Sequence, residues 1–240
     1  LGLEDENAVV RFTALVCIGK LKFPGMGEAA MRHLGDASPS VRAAAMFAAK
    51  ACGQDVDISA MAMMLRSSNP GLRANVAMLL GLLGDASAAP MLENLANSPM
   101  RRVSAVRQSL TRLQIAEAMI RLGDEGALDA LRAGAYSQFD EVRVLAVSAM
   151  GKLGDQRMAS AFRKMLQQPP IELQLAAAEA LARQGDDGGL PVMLAGTESQ
   201  IVPVRAQAAF GLGLVKKPEA AQALVPVSYT HLRAHETTSH

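Results

Sequence analysis

The stretch VRVLAVSAMGKLGD, residues 142–155, sets out the building rule of the chain. Val142, Ala146 and Met150 are spaced to form one apolar stripe on a helix. Gly154 can end that helix, because glycine enters the left-handed conformation at little cost. Asp155 follows at once and can cap the start of another helix. Fourteen residues thus spell a helix, its stop and the next start.

The same pattern recurs along the chain. Val-Arg or a near variant stands at Val10-Arg11, Val41-Arg42, Leu72-Arg73, Thr111-Arg112, Val142-Arg143, Leu173-Gln174 and Val204-Arg205. Successive second members are 31, 31, 39, 31, 31 and 31 residues apart. Gly53, Gly84, Gly123, Gly154 and Gly185 keep the same register, and Asp85, Asp124, Asp155 and Asp186 follow four of them. Ser38-Pro39 and Asn69-Pro70 read as an N-cap followed by a proline at the first helical position. Each unit is therefore expected to be a helix of about 12 residues, a turn, and a second helix of about 13 carrying Val-Arg near its start. One such hairpin cannot bury its apolar face alone, so neighbours must stack.

Three segments, VRAAAMFAAKACGQD (41–55), LRANVAMLLGLLGDASAAPMLENL (72–95) and VRVLAVSAMGKLGDQRMASAFRKML (142–166), resemble HEAT repeats. The likeness is closest to the short bacterial form also called phycobilisome-lyase HEAT-like, or armadillo-type, repeats, and it covers about residues 4 to 226. It implies an all-α fold, an α-α superhelix (HEAT-like solenoid) of about seven 31-residue helical hairpins. The expected organisation is one array over 1–226, with an insertion near 98–108. The family's arrays mostly act as scaffolds and adaptors, and a minority belong to enzymes such as bilin lyases.

Composition narrows the function. Half the residues are hydrophobic, but only 3% are aromatic and there is no Trp. Ala, Leu, Val and 14 Met supply the apolar surface, a mixture suited to close helix packing. A net charge of +1 gives no global field for nucleic acid, and stacking platforms for single strands need aromatics, so no nucleic-acid partner is expected. No apolar run approaches the ~20 residues of a membrane span. Cys17 and Cys52 form neither a disulfide framework nor a zinc motif and are expected to be buried free thiols. The chain begins at Leu1, in mid-repeat, so it is expected to be a fragment without its native start. The lack of a signal peptide then says nothing of compartment, with the cytoplasm favoured.

Aligning the second helices on the Arg position sorts their faces. The positions one before, three after and seven after are the core stripe, as in Leu72, Val76 and Leu80. Small residues four and eight after, such as Ala77 and Gly81, are expected to admit close neighbours. The columns two, five and nine after are polar in the later units, with Glu117–Arg121 and Glu179–Arg183 as i,i+4 ion pairs. By the family resemblance this face lies on the concave side. In the first three units the same columns hold Val16, Phe47, Met78 and Leu82, which predicts an exposed apolar strip for a protein partner. The insertion supplies a second candidate surface, since Arg101, Arg102 and Arg107 could form a basic patch for an acidic partner. The recurring Arg itself opposes the helix dipole at its position. It is expected to have a structural partner, a loop carbonyl or an acid of the adjacent unit.

Chemistry is sparse. His33 is the only histidine before the last eleven residues, and its place near a helix end suits contact with terminal carbonyls. No phosphate loop, nucleophile elbow or zinc pattern appears. Asp124-Glu125-Gly126 and Asp187-Gly188 lack calcium-loop spacing. His231, His235 and Glu236 have metal-ligand spacing, but they stand where an eighth Val-Arg is due. Residues 227–240 break the repeat in register and composition and resemble a translated adapter or vector sequence. The reading is therefore a monomeric, non-enzymatic adaptor without metal or cofactor. The alternative is an enzyme or enzyme subunit of the bilin-lyase type.

Overall fold

Each Val-Arg pair except the fourth lies in the first turn of a long helix in the computed structural model, which describes residues 2–23, 25–98, 100 and 102–225. The helices of the first half are α1 (Ala8–Leu21), α2 (Met26–Met31), α3 (Pro39–Ala51), α4 (Ser59–Met64), α5 (Pro70–Leu83), α6 (Ala89–Ala96) and α7 (Ala105–Arg121). After α8 (Leu128–Gly134) come α9 (Asp140–Leu153), α10 (Ala159–Met165), α11 (Ile171–Arg183), α12 (Leu190–Thr197) and α13 (Val202–Leu212), and residues 218–225 are again helical. Odd-numbered helices are the long second helices of the repeats. Among the described residues there is no strand. The fold class is the all-α HEAT-like solenoid.

The first helices are shorter than the sequence suggests, 6 to 8 residues in α2, α4, α6, α8, α10 and α12. The capping aspartates account for part of the difference. Asp85, Asp124 and Asp155 accept from the backbone N–H two residues on, at 2.9, 2.9 and 3.3 Å, and each opens a three-residue 3-10 turn before the helix proper. Gly84 and Gly154 cap α5 and α9 in the left-handed region, both at φ 74°. Asn69 caps α5 as expected. Ser38 makes no such bond from its side chain; instead its backbone N–H donates to Asp36 at 2.8 Å.

The inserted residues lengthen one helix. Arg11, Arg42, Arg73, Arg143 and Arg205 are each the fourth residue of their helix, whereas Arg112 is the eighth of α7. An added helical turn at the start of α7 takes up part of the insertion, and Arg102 in the connection before it has φ 59°.

The chain divides into two compact units, Leu1–Ala130 and Leu131–His240, the boundary falling inside α8. In unit 1 the long helices pack in order, α1 on α3, α3 on α5 and α5 on α7; in unit 2, α9 packs on α11 and α11 on α13. The predicted core stripe is buried: Val76 and Leu80 in unit 1, Val142, Ala146 and Met150 in unit 2. Phe162, from the first helix of a hairpin, is fully enclosed beneath α11.

The small eighth column sets how close the long helices come. A Cβ built on Gly81 would lie 2.9 Å from Ala118 Cα, and one on Gly151 would lie 2.8 Å from Ala180 Cα. These helices touch backbone to backbone, which only glycine allows.

The recurring arginine ties four of the long helices to the turn before them. Arg11, Arg42 and Arg205 each donate from Nη1 to the carbonyl six residues earlier, Asp5, Asp36 and Ser199, at 2.7 Å. Arg73 reaches the Ser67 carbonyl through Nε. The cation therefore satisfies loop carbonyls, mostly in its own unit; two of these arginines also bond forward, Arg143 to the Pro169 carbonyl at 3.1 Å and Arg11 to the Asp36 carboxylate of the next unit.

Both cysteines depart from expectation. Cys17 is exposed and Cys52 half-buried. The Cys17 column, six after the Arg, packs on the preceding long helix in later units, as Ala118 does on α5. Among the described residues no long helix precedes α1, and the Cys17 thiol is exposed. His33 lies between two carboxylates rather than at helix carbonyls, with Nε2 3.9 Å from Glu4 and Nδ1 4.0 Å from Asp36. Arg11 donates to both Asp36 oxygens at 2.9 and 3.0 Å and holds that carboxyl below its usual range. Arg101, His231, His235 and Glu236, and the whole 227–240 tail, lie outside the described residues.

Candidate partner-binding surface

The apolar strip is interrupted. Phe47 is buried, not exposed. Its ring occupies the space left by Gly19 on α1, where an added Cβ would meet Cε1 at 2.3 Å. Glycine in the preceding helix turned a predicted surface anchor into a core residue. Val16, Met78 and Leu82 remain half-buried. Met78 lines a small hollow of about 60 Å³ with Gln114, Glu117 and Arg121. Leu82 belongs to a different and larger depression.

That depression, about 470 Å³, lies where α1, α3 and α5 end. Its apolar part is Ile58, Leu82 and Leu83, with an edge of Phe47 beneath. Lys20, Lys22 and Lys50 also line it, and Asp85 is its one acid. Asp85 is held ionised by the Ser87 hydroxyl and backbone N–H, which it accepts in capping the next turn. Among the described residues none of the three lysines is paired with a carboxylate. The sequence reading missed this groove, although a signal was present: Lys22 occupies the column that is glycine in five other units.

Unit 2 has a groove at the matching ends of its own long helices, about 650 Å³, lined by Lys152, Leu153, Arg183, Leu214 and Lys216 among others. Here several cations are engaged. Arg183 bonds Glu179 at 2.9 Å and lies over the Phe210 ring at 5.7 Å, a cation–π geometry. Lys217 pairs with Asp187, and the lining acid Asp186 with Arg163, which is not itself part of the lining. Phe210, in the same column as Phe47, is 57% exposed and is a further apolar surface group that the sequence reading passed over.

Arg102 and Arg107 are both exposed, Arg102 in the connection and Arg107 in the first turn of α7. Among the described residues no three His, Cys, Asp or Glu side chains are placed to hold a metal ion, and no helix is long and apolar enough to cross a membrane.

Paired hairpins in a 31-residue register, an arginine bonded to its own turn, and a groove at the ends of the long helices define a helical-repeat protein. The chain belongs to the HEAT-repeat family, whose model matches residues 29–111, 107–182 and 159–231. No curated protein matches the sequence. Among solved structures, the complex of CpcE and CpcF of phycocyanin lyase from Nostoc sp. PCC7120 is similar at 18% identity and TM-score 0.51, over 93% of this chain and 90% of that one. Human deoxyhypusine hydroxylase in complex with glycerol is similar at 18% identity and TM-score 0.40, over 92% and 85%. An engineered protein is similar at 18% identity and TM-score 0.39, over 94% and 70%.

Proposed function

We propose that the protein is a non-catalytic scaffold or adaptor that binds another protein along the face formed by its long helices, the concave face in the family's arrays. The observation that carries this is the groove over Ile58, Leu82 and Leu83, half-buried apolar side chains ringed by cations that no carboxylate of the described chain engages. Open apolar surface inside a charged rim is the usual anatomy of a protein interface. Met78 and the small hollow on α5 extend the same face. Its fold neighbour from phycocyanin lyase is itself half of a two-protein complex, which is consistent with this reading.

Leu82→Asp with Met78→Asp tests it. Both side chains are half-buried and Phe47 is left intact, so the helical signal and melting temperature should stay close to wild type. A stoichiometric partner purified with the wild-type chain should be lost from the double variant. Undiminished binding would sink the reading. A bilin adduct or bound iron that accompanies turnover in the purified protein would replace it with the enzyme alternative.

A further inference from the structure

We infer that the unit 1 groove takes an acidic, amphipathic segment of a partner protein: apolar side chains seated on Ile58, Leu82 and Leu83, with carboxylates meeting Lys20, Lys22 and Lys50. This rests on the adaptor reading above and specifies its ligand. Two observations carry it.

The first is charge. Three lysines and one acid line a cavity of about 470 Å³, and the acid, Asp85, is already committed to a helix cap. Lysines in the last turn of a helix also complement its dipole, which would account for Lys20 in α1 and Lys50 in α3 without any ligand.

The second observation separates the two explanations. Lys22 ends α1 in the left-handed region at φ 48°, one of two described non-glycine residues with positive φ. Five other repeats place glycine there. A Cβ in that region is strained, whereas glycine is not. With Lys20 already serving the dipole, the strained position is explained by the ammonium it delivers to the groove. Strain of this kind gathers at binding sites.

A protein segment fits better than a polyanion. The base of the groove is aliphatic, and its one aromatic ring, Phe47, is buried and offers no stacking face. Carboxylates flanking aliphatic side chains match both parts of the surface.

The test is selection from a random-peptide library displayed on phage against the full chain, followed by titration of labelled synthetic copies of the enriched peptides. Enriched peptides should combine Asp or Glu with Leu, Ile or Met. Their affinity should fall at least about tenfold in the Lys20→Gln, Lys22→Gln, Lys50→Gln variant, and should weaken as salt rises. Lys22→Gly should weaken binding about two- to fivefold, the range of one exposed ion pair, while raising the melting temperature. A purely structural lysine would not give that opposed pair of changes.

Peptides without acids, or peptides indifferent to the three lysines, would overturn the inference and leave the adaptor reading standing. Failure to enrich any peptide would overturn both. Lysine-dependent binding of inorganic polyphosphate or duplex DNA in place of peptide would show a polyanion site and overturn the proposed occupant.

Discussion

Replacing Gly151 by alanine probes the close approach of α9 and α11 in unit 2. The substitution has two opposed effects. Alanine in a helix interior is favoured over glycine by about 1 kcal/mol. Against this, the new methyl would lie 2.7 Å from Ala180 Cβ and 2.8 Å from Ala180 Cα, and backbone cannot swing aside as a flexible chain end can. Forcing α9 and α11 apart is overpacking, which costs about 1–3 kcal/mol. Because the clash is with the facing helix itself, the upper end applies, and the net loss is about 2 kcal/mol. At about 2–4 °C per kcal/mol, the melting temperature should fall by about 4–8 °C. Gly35→Ala is the control, since nothing lies within 4 Å of its added Cβ and its φ is not in the left-handed region. Ala180→Gly in the Gly151→Ala background removes the clash with the Ala180 methyl but leaves the clash with the backbone, so it should restore part of the loss. The assay is thermal and urea unfolding of wild type and these variants, read by far-UV circular dichroism. An unchanged or raised midpoint for Gly151→Ala would refute the claim that α9 and α11 meet at their backbones.

Phe162→Ala should cost about 3–5 kcal/mol in chemical denaturation, because the ring is fully enclosed and its removal leaves a cavity. Arg42→Met keeps the aliphatic stem but frees the Asp36 and Ala37 carbonyls, and should lower the urea midpoint by an amount equivalent to about 1–2 kcal/mol. Asp36 links unit 1 to pH. Its carboxyl is held low by Arg11, so its contribution is present above the ordinary carboxyl value of about 3.9 and is lost as pH falls through the lower folded value. Urea midpoints measured from about pH 6 down to about pH 2 should therefore drop less steeply in Asp36→Asn than in wild type.

The repeat, its seven units and the core stripe were legible in the sequence because they depend on local rules. Helical periodicity, a glycine stop and an aspartate cap act within a few residues, and the structure follows them at Gly84-Asp85 and Gly154-Asp155. The recurring arginine was legible as structural too, although its habit of bonding the carbonyl six residues back was not. Local signals also misjudged length: the capping aspartates lead into 3-10 turns, which shorten the first helices.

The candidate site was less legible, because burial on a long-helix face depends on the neighbouring helix. Phe47 and Phe210 occupy the same repeat column, yet one is buried and the other open. Gly19 on α1 makes the difference for Phe47. Lys22 stood in the sequence as a break in the glycine column, but only the backbone showed that it keeps the left-handed conformation without glycine. The sequence alone determined that the chain is a stack of 31-residue helical hairpins, since each stop and start is encoded within a turn of where it acts. Tertiary structure alone decided which of those columns are surface, because that depends on how closely the next helix approaches and what side chain it leaves out.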